Sequence, residues 1–203
     1  MFNGKTSLPN LTHEQIIVYN VQSISTMKPE IFNALLFNIM SLMFDDMIRI
    51  GVPSKELFES GTPIYQIPKL LLMVDEAHKF INTKNPFALD YMIGIVREGR
   101  KYFTGLTLAS QSIRDFNPQN NDSEAVEKLK TLFELTQYKL IMQQDSNCRD
   151  ILKTVFNDRI TDSQLKQIPH FGQGECLLST GEEILHTFIS ITDQEQKLFK
   201  GGA

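Results

Sequence analysis

An excess of positive charge is the first thing this 203-residue sequence lacks: 20 lysines and arginines face 24 aspartates and glutamates, a formal charge of −4. A surface given over to phosphate contacts needs the opposite balance, so composition lends nucleic-acid binding no support, although a local basic patch would survive such an average. Cysteine is nearly missing. Cys148 and Cys176 stand far apart in a chain without a secretory signal, which argues against a disulfide framework or a zinc site and for two idle or buried thiols in a reducing compartment. Long hydrophobic runs are missing as well. Asn, Asp or Lys interrupts each apolar stretch short of the roughly 20 residues that span a bilayer, so no transmembrane segment is expected. Repeats and low-complexity tracts are absent. What is present is 41% hydrophobic residues, enough for one domain with a sizeable core.

The apolar residues are arranged in alternating periods. IIVYNV at 16–21 is short and β-branched and reads as a buried strand. Pro29 suits the first turn of a helix carrying Ile31, Leu35, Ile39, Leu42 and Met43, which Gly51 and Pro53 should end. A loop with a short helical turn leads to a second buried strand, LLLMV at 70–74. Asn85 before Pro86 reads as an N-cap opening a helix toward Tyr102, and GLTLAS at 105–110 is a third strand. Asp122 and Ser123 would cap the next helix, followed by a strand at 138–142. Strand and helix in alternation predict an α/β fold with a mainly parallel sheet and helices on both faces. Residues 145–203 change pattern within the same domain: two short helices, the second opened by a capping box of Thr161 and Gln164, then a hairpin of CLLST and ILHTFISI around 180–183, and a last helical turn from Asp193.

Charge stands out where apolar strands end. LLLMVDE sets Asp75 and Glu76 just past the carboxyl end of a fully apolar strand, the crevice where open parallel sheets hold ligands. Asp75 there suits a magnesium ion held through its water shell, and Glu76 suits a water attacking a γ-phosphate. Acidic residues also follow buried strands for no chemical reason, and the pair alone does not decide. Gln111, at the equivalent end of the next strand, suits a sensor of the γ-phosphate or a water-positioning amide, or is a plain surface glutamine. Arg97, Arg100 and Lys101 either complement a helix C-terminus or, for Arg100, supply an arginine finger to a neighbouring subunit.

Taken together, these residues resemble the large ATPases of type IV secretion and conjugative DNA transfer, the VirB/TraC class of the RecA-like P-loop superfamily. The resemblance runs from IIVYNV through LLLMVDEAHKF, GIVREGRKYFTGLTLASQSIRDF and FGQGECLLSTGEE. It implies a RecA-like P-loop NTPase fold. It also implies ATP and magnesium as cofactors, with Asp75 and Glu76 as the Walker B pair, Arg100 as arginine finger and Gln111 as the strand-end glutamine. As partners it implies a homo-hexamer at the inner face of the membrane, cytoplasmic and peripheral, that meets secretion-channel subunits and DNA or a DNA-relaxase substrate.

One part of that family's pattern is missing. A phosphate cradle needs G-x-x-x-x-G-K-[ST] between strand and helix, and the sequence has none. Gly4, Lys5 and Thr6 imitate only its end, with Leu8 and Pro9 where a helix should start. Residues 1–203 therefore read as a single incomplete ATPase domain, lacking its amino-terminal P-loop part and inactive alone.

Other readings remain. Asp75 to His78 spell DEAH, a helicase box, but no serine-alanine-threonine or QRxGRxGR motif follows. His78 then reads as a helix-start residue. DNA-pumping translocases of the FtsK/HerA type share the strand, the glutamine and the arginine. A non-catalytic scaffold subunit would explain the missing loop, but not the joint retention of Asp75, Glu76, Arg100 and Gln111.

Overall fold

The computed structural model describes residues 14–82, 85–116, 123–156 and 159–198. Pro29 opens α1 (Pro29–Glu59), a helix of 31 residues that continues through Gly51 and Pro53 where the sequence predicted a stop. Two tertiary contacts override the local breakers. Gly51 lies so close to Tyr102 that a β-carbon would come within 2.4 Å of the Tyr102 Cβ. The Ser54 hydroxyl, buried, donates to the carbonyls of Ile50 and Pro68 and ties the helix to the chain that enters the next strand. By length and composition alone α1 is long and apolar enough to cross a membrane, a test that a core helix also passes. Leu36, Met40 and Met47 are nevertheless buried in the protein core.

Strand β1 (Leu70–Val74) pairs in parallel with β2 (Thr104–Leu108), with Leu70 opposite Thr104 and Val74 opposite Leu108. Between them α2 (Pro86–Gly99) makes the crossover that parallel strands require. Pro86 opens it as expected, but Asn85 does not cap it: the Asn85 amide donates to the Phe80 carbonyl instead. A 3-10 turn from Arg100 to Tyr102 follows. Ala88, Leu89, Met92 and Ile95 of α2 join Met40 and Met47 of α1 and Leu72 of β1 in one core.

After α3 (Ser123–Leu135) the chain enters β3 (Lys139–Ile141). The proposed cap at Asp122 lies outside the described residues. Strand β3 does not join the parallel pair. It runs antiparallel to β4 (Glu175–Ser179), which pairs in turn with β5 (Ile184–Phe188). Two short helices precede the hairpin, α4 (Arg149–Val155) and α5 (Asp162–Gln167). The capping box forms as read: Thr161 Oγ1 accepts from the Gln164 N–H, and Gln164 Oε1 accepts from the Thr161 N–H. Leu152, Phe156, Leu165, Ile168 and Leu177 close a second core beneath the hairpin. The Gly172 N–H holds the Glu175 carboxyl below the usual carboxylate range, and His186 adds to this. Helix α6 (Asp193–Leu198) ends the described chain.

Three expectations are corrected. Among the described residues the single, mainly parallel sheet is replaced by two small sheets, one of β1 and β2 in parallel and one antiparallel. Helices cover one face rather than both: Leu72 is buried, while Leu71 and Met73 on the other side of β1 are 61% and 69% exposed. Residues 16–21 form no strand. Ile16 and Val18 are solvent-exposed while Val21 packs on the core, so the segment is extended but has no ladder to join. Period-2 alternation records which side faces the core; a strand also needs a neighbour to take its backbone hydrogen bonds.

The close approach at Gly51 makes a stability prediction. Gly51→Ala must push α1 off Tyr102 and should cost about 1–3 kcal/mol. Gly94→Ala in α2, whose β-carbon would meet only Phe44 Cε2 at 3.8 Å, should be neutral or stabilising by up to about 1 kcal/mol from helix propensity. Urea unfolding of both variants checks the contrast, and equal effects would contradict the packing at Gly51.

Candidate active site

The parallel register continues past the last paired residues. The Ala109 N–H donates to the Val74 carbonyl at 2.9 Å, and the Ala77 N–H donates to the Ala109 carbonyl at 2.8 Å. Each loop leaving the sheet is thus fastened to the other, and Glu76 and Gln111 come face to face. Gln111 Nε2 donates to Glu76 Oε1 at 2.6 Å. The Asp75 side chain turns back on its own loop, where its Oδ1 accepts from the Glu76 N–H at 2.9 Å.

Glu76 carries an unusual backbone. At φ 49°, ψ 42° it is left-handed, a conformation that disfavours any side chain. The reversal lets Ala77, fully buried, plug into the core while the Glu76 carboxylate swings toward the end of β2. Its Oε2 is buried without a hydrogen-bond partner among the described residues. A buried carboxylate oxygen without a hydrogen bond carries a desolvation cost that the described side chains do not offset.

Three further residues, not singled out from the sequence as functional, complete the arrangement. His78 Nδ1 lies 2.9 Å from Ser110 Oγ and 3.3 Å from Glu76 Oε2. It stands in a 3-10 turn from Ala77 to Lys79 rather than at the start of an α-helix. Gln144, just beyond β3, donates to the Gln111 carbonyl and accepts from the Ile113 N–H, so the loops after β1, β2 and β3 are joined by side-chain amides. The sequence signal for these was slight: a histidine three residues after Asp75, a serine beside Gln111, and a pair of glutamines after the third strand.

Arg100 is not brought to this cluster. It sits in the turn before β2 while Gln111 follows β2, so the two are separated by at least the strand's length, roughly 17 Å at about 3.3 Å per residue. Arg100 is exposed and makes no ion pair among the described residues, whereas Lys101 beside it pairs with Glu98 at 2.8 Å. Lys5 and the glycine before it lie outside the described residues. Cys148 and Cys176 are buried free thiols, and burial pushes the Cys176 thiol up, away from reactivity.

Among the described residues no group of three or more His, Cys, Asp or Glu side chains converges to hold a metal. Asp75, an exposed carboxylate with one oxygen engaged by backbone, fits a magnesium ion whose other ligands are waters and phosphate oxygens, the manner in which that ion usually binds beside a nucleotide. The donor set fits that mode and not an all-protein cage.

With this geometry in hand, known proteins place the architecture. No family model matches the sequence. The chain is 32% identical over 204 residues to an uncharacterized protein of Bacillus anthracis, pXO2-09, covering all of this chain and 32% of that protein. The chain therefore spans about a third of the length of the curated relative that it matches. The solved structure of VirB4 of Thermoanaerobacter pseudethanolicus superposes with a TM-score of 0.66 at 20% identity, covering 87% of this chain and 41% of that one. The class is thus an α/β fold with a small parallel sheet, and more particularly it is a fold shared with VirB4.

The left-handed residue gives a signed test. Alanine and glycine at position 76 both lose the bond to Gln111, so their difference isolates the backbone. Glu76→Gly should be the more stable by about 1 kcal/mol, because only glycine adopts this conformation without steric cost. That inverts the order expected at an ordinary helical site, and thermal unfolding of the two variants reads it directly.

Proposed function

We propose that this segment belongs to an ATP-hydrolysing motor that energises type IV secretion or conjugative DNA transfer. The observation that carries the reading is the meeting of Glu76 and Gln111 at the carboxyl ends of two parallel strands, with Asp75 beside them. The fold shared with VirB4 supports it from a separate direction, as does the run of motifs resembling the VirB/TraC class. Glu76 acts as the general base, taking a proton from the attacking water. Gln111 fixes one carboxylate oxygen and links the base to the strand end that meets the γ-phosphate. Asp75 holds magnesium through water; the ion, when bound, neutralises charge on the phosphate oxygens.

Arg100, far from Glu76 in its own subunit, reaches the site of a neighbour as an arginine finger, which makes a ring, read as a hexamer, the working form. The uncovered face of β1, with Leu71 and Met73, packs against the phosphate-binding half of a longer polypeptide. This chain alone lacks the strongest phosphate contacts and neither binds nor hydrolyses ATP well. The motor works in the cytoplasm, peripheral at the inner membrane face, with secretion-channel subunits and a DNA or DNA-relaxase substrate as partners.

The reading is tested in the polypeptide that joins this segment to a phosphate-binding loop. Glu76→Gln should cut turnover by at least about 100-fold while ATP stays bound, the scale of a lost general base. Arg100→Ala should cut it by about 1,000-fold or more, the scale of a lost finger. Mixing the two inactive variants should restore part of the activity, because an interface between an Arg100→Ala site and a Glu76→Gln neighbour carries both groups intact. Normal turnover in Glu76→Gln, or no recovery on mixing, would contradict the base and the finger respectively.

A further inference from the structure

The Ser110 hydroxyl has one proton, and its oxygen lies 3.3 Å from the Ser112 carbonyl, to which it donates. The imidazole Nδ1 of His78 lies 2.9 Å from that oxygen, and a carboxylate oxygen facing the same nitrogen favours the ring proton on Nδ1 over a lone pair there. That same N–H is 3.3 Å from Glu76 Oε2, the buried oxygen left without a hydrogen bond. One donor thus stands between two acceptors, and in this structure the serine has it.

We propose that Ser110 and His78 form a positioning device that keeps Glu76 armed, a proposal that rests on the reading of Glu76 as the base. With the Nδ1–H committed to Ser110, Glu76 is held on one oxygen by Gln111 and keeps Oε2 without a hydrogen bond, at its full basicity. If the Nδ1–H transfers to Oε2, both carboxylate oxygens are taken and the base is disarmed. The shift is small, from a contact at 2.9 Å to one now at 3.3 Å. Ser110 and Gln111 are consecutive at the end of β2, while Glu76 and His78 share the loop after β1. A displacement of one strand end against the other, as nucleotide contact at Gln111 would produce, thereby changes which acceptor the histidine serves. No bond is made or broken in this exchange; a hydrogen bond changes partner.

Two measurements test it. Long-range proton–nitrogen NMR of this chain, with His78 assigned by its loss in His78→Ala, should show the Nδ1–H tautomer at neutral pH, against the usual preference of free histidine for Nε2–H. An Nε2–H tautomer would overturn the proposal without touching the role of Glu76. In the longer, loop-bearing polypeptide, Ser110→Ala should lower kcat by about tenfold at unchanged KM, the scale of one hydrogen bond to a charged group. Ser110→Thr, which keeps the hydroxyl, should retain turnover. The double variant Ser110→Ala with His78→Ala should regain much of what Ser110→Ala loses, since the disarming donor is gone. A merely structural serine predicts the reverse, a double variant at least as impaired as the single. If Glu76→Gln leaves turnover normal, it is the assignment of the base that fails. If Glu76→Gln is inactive yet Ser110→Ala keeps full kcat, only the positioning device fails.

Discussion

The pairing of Val74, Ala77 and Ala109 backbones beyond the regular strands is the constraint on which the site depends. Two parallel strands alone fix direction but leave the loops at their ends free to diverge. Here the ladder is extended by one bond from Ala109 to Val74 and another from Ala77 to Ala109, so the loop after β1 is sewn to the loop after β2. Every polar contact of the cluster follows from it: Gln111 with Glu76, His78 with Ser110, and, through Gln144, the loop beyond β3. The cost is taken at Glu76, whose left-handed backbone lets the chain place Ala77 in the core and the carboxylate outside it within one residue. Strain of roughly 1–3 kcal/mol at a residue fastened on both sides is sustainable only because the surrounding ladder over-determines it.

The same pair of strands explains what is unfinished about the surface. Parallel strands are ordinarily covered on both faces, and their sequences read as continuous apolar runs for that reason. LLLMV is such a run, yet only Leu70, Leu72 and Val74 meet helices, and Leu71 and Met73 are left to solvent. On the hairpin sheet Leu140 and Leu185 are similarly open, at 55% and 46% exposure. The composition of these strands is that of a two-sided burial of which the described residues supply one side.

Elements with strong local signals were legible in the sequence. The strand at 70–74, the helix opened by Pro86, the capping box at Thr161 and the hairpin around 180–183 all carry their own punctuation. What failed depended on partners. The stop at Gly51 and Pro53 was cancelled by Tyr102 and Ser54, contacts 14 to 51 residues distant in sequence. The strand at 16–21 needed an edge to pair with, and β3 took an antiparallel neighbour from the far hairpin rather than joining β2. Helix–strand alternation counts elements but says nothing about which edge each one finds.

The site divides along the same line. Asp75, Glu76 and Gln111 are visible because a carboxylate or an amide at the end of an apolar strand is out of place, and out-of-place polarity is a local signal. His78 and Ser110 are not out of place at all; a histidine in a turn and a serine after a strand are ordinary. Their meaning lies in a distance between residues 32 apart in sequence, 2.9 Å, and in a ring nitrogen that faces a carboxylate as well. A carboxylate beside a histidine would by itself be read as an ion pair, yet the ring nitrogen lies nearer to Ser110 than to Glu76 Oε2, which makes no hydrogen bond among the described residues. The chemistry of the cluster therefore turns less on which residues are present than on how one ring nitrogen is shared, 2.9 Å from a hydroxyl and 3.3 Å from a buried carboxylate oxygen. Left without a hydrogen bond, that oxygen carries the uncompensated desolvation of the cluster, so a movement of the loops that brings it a donor is favoured.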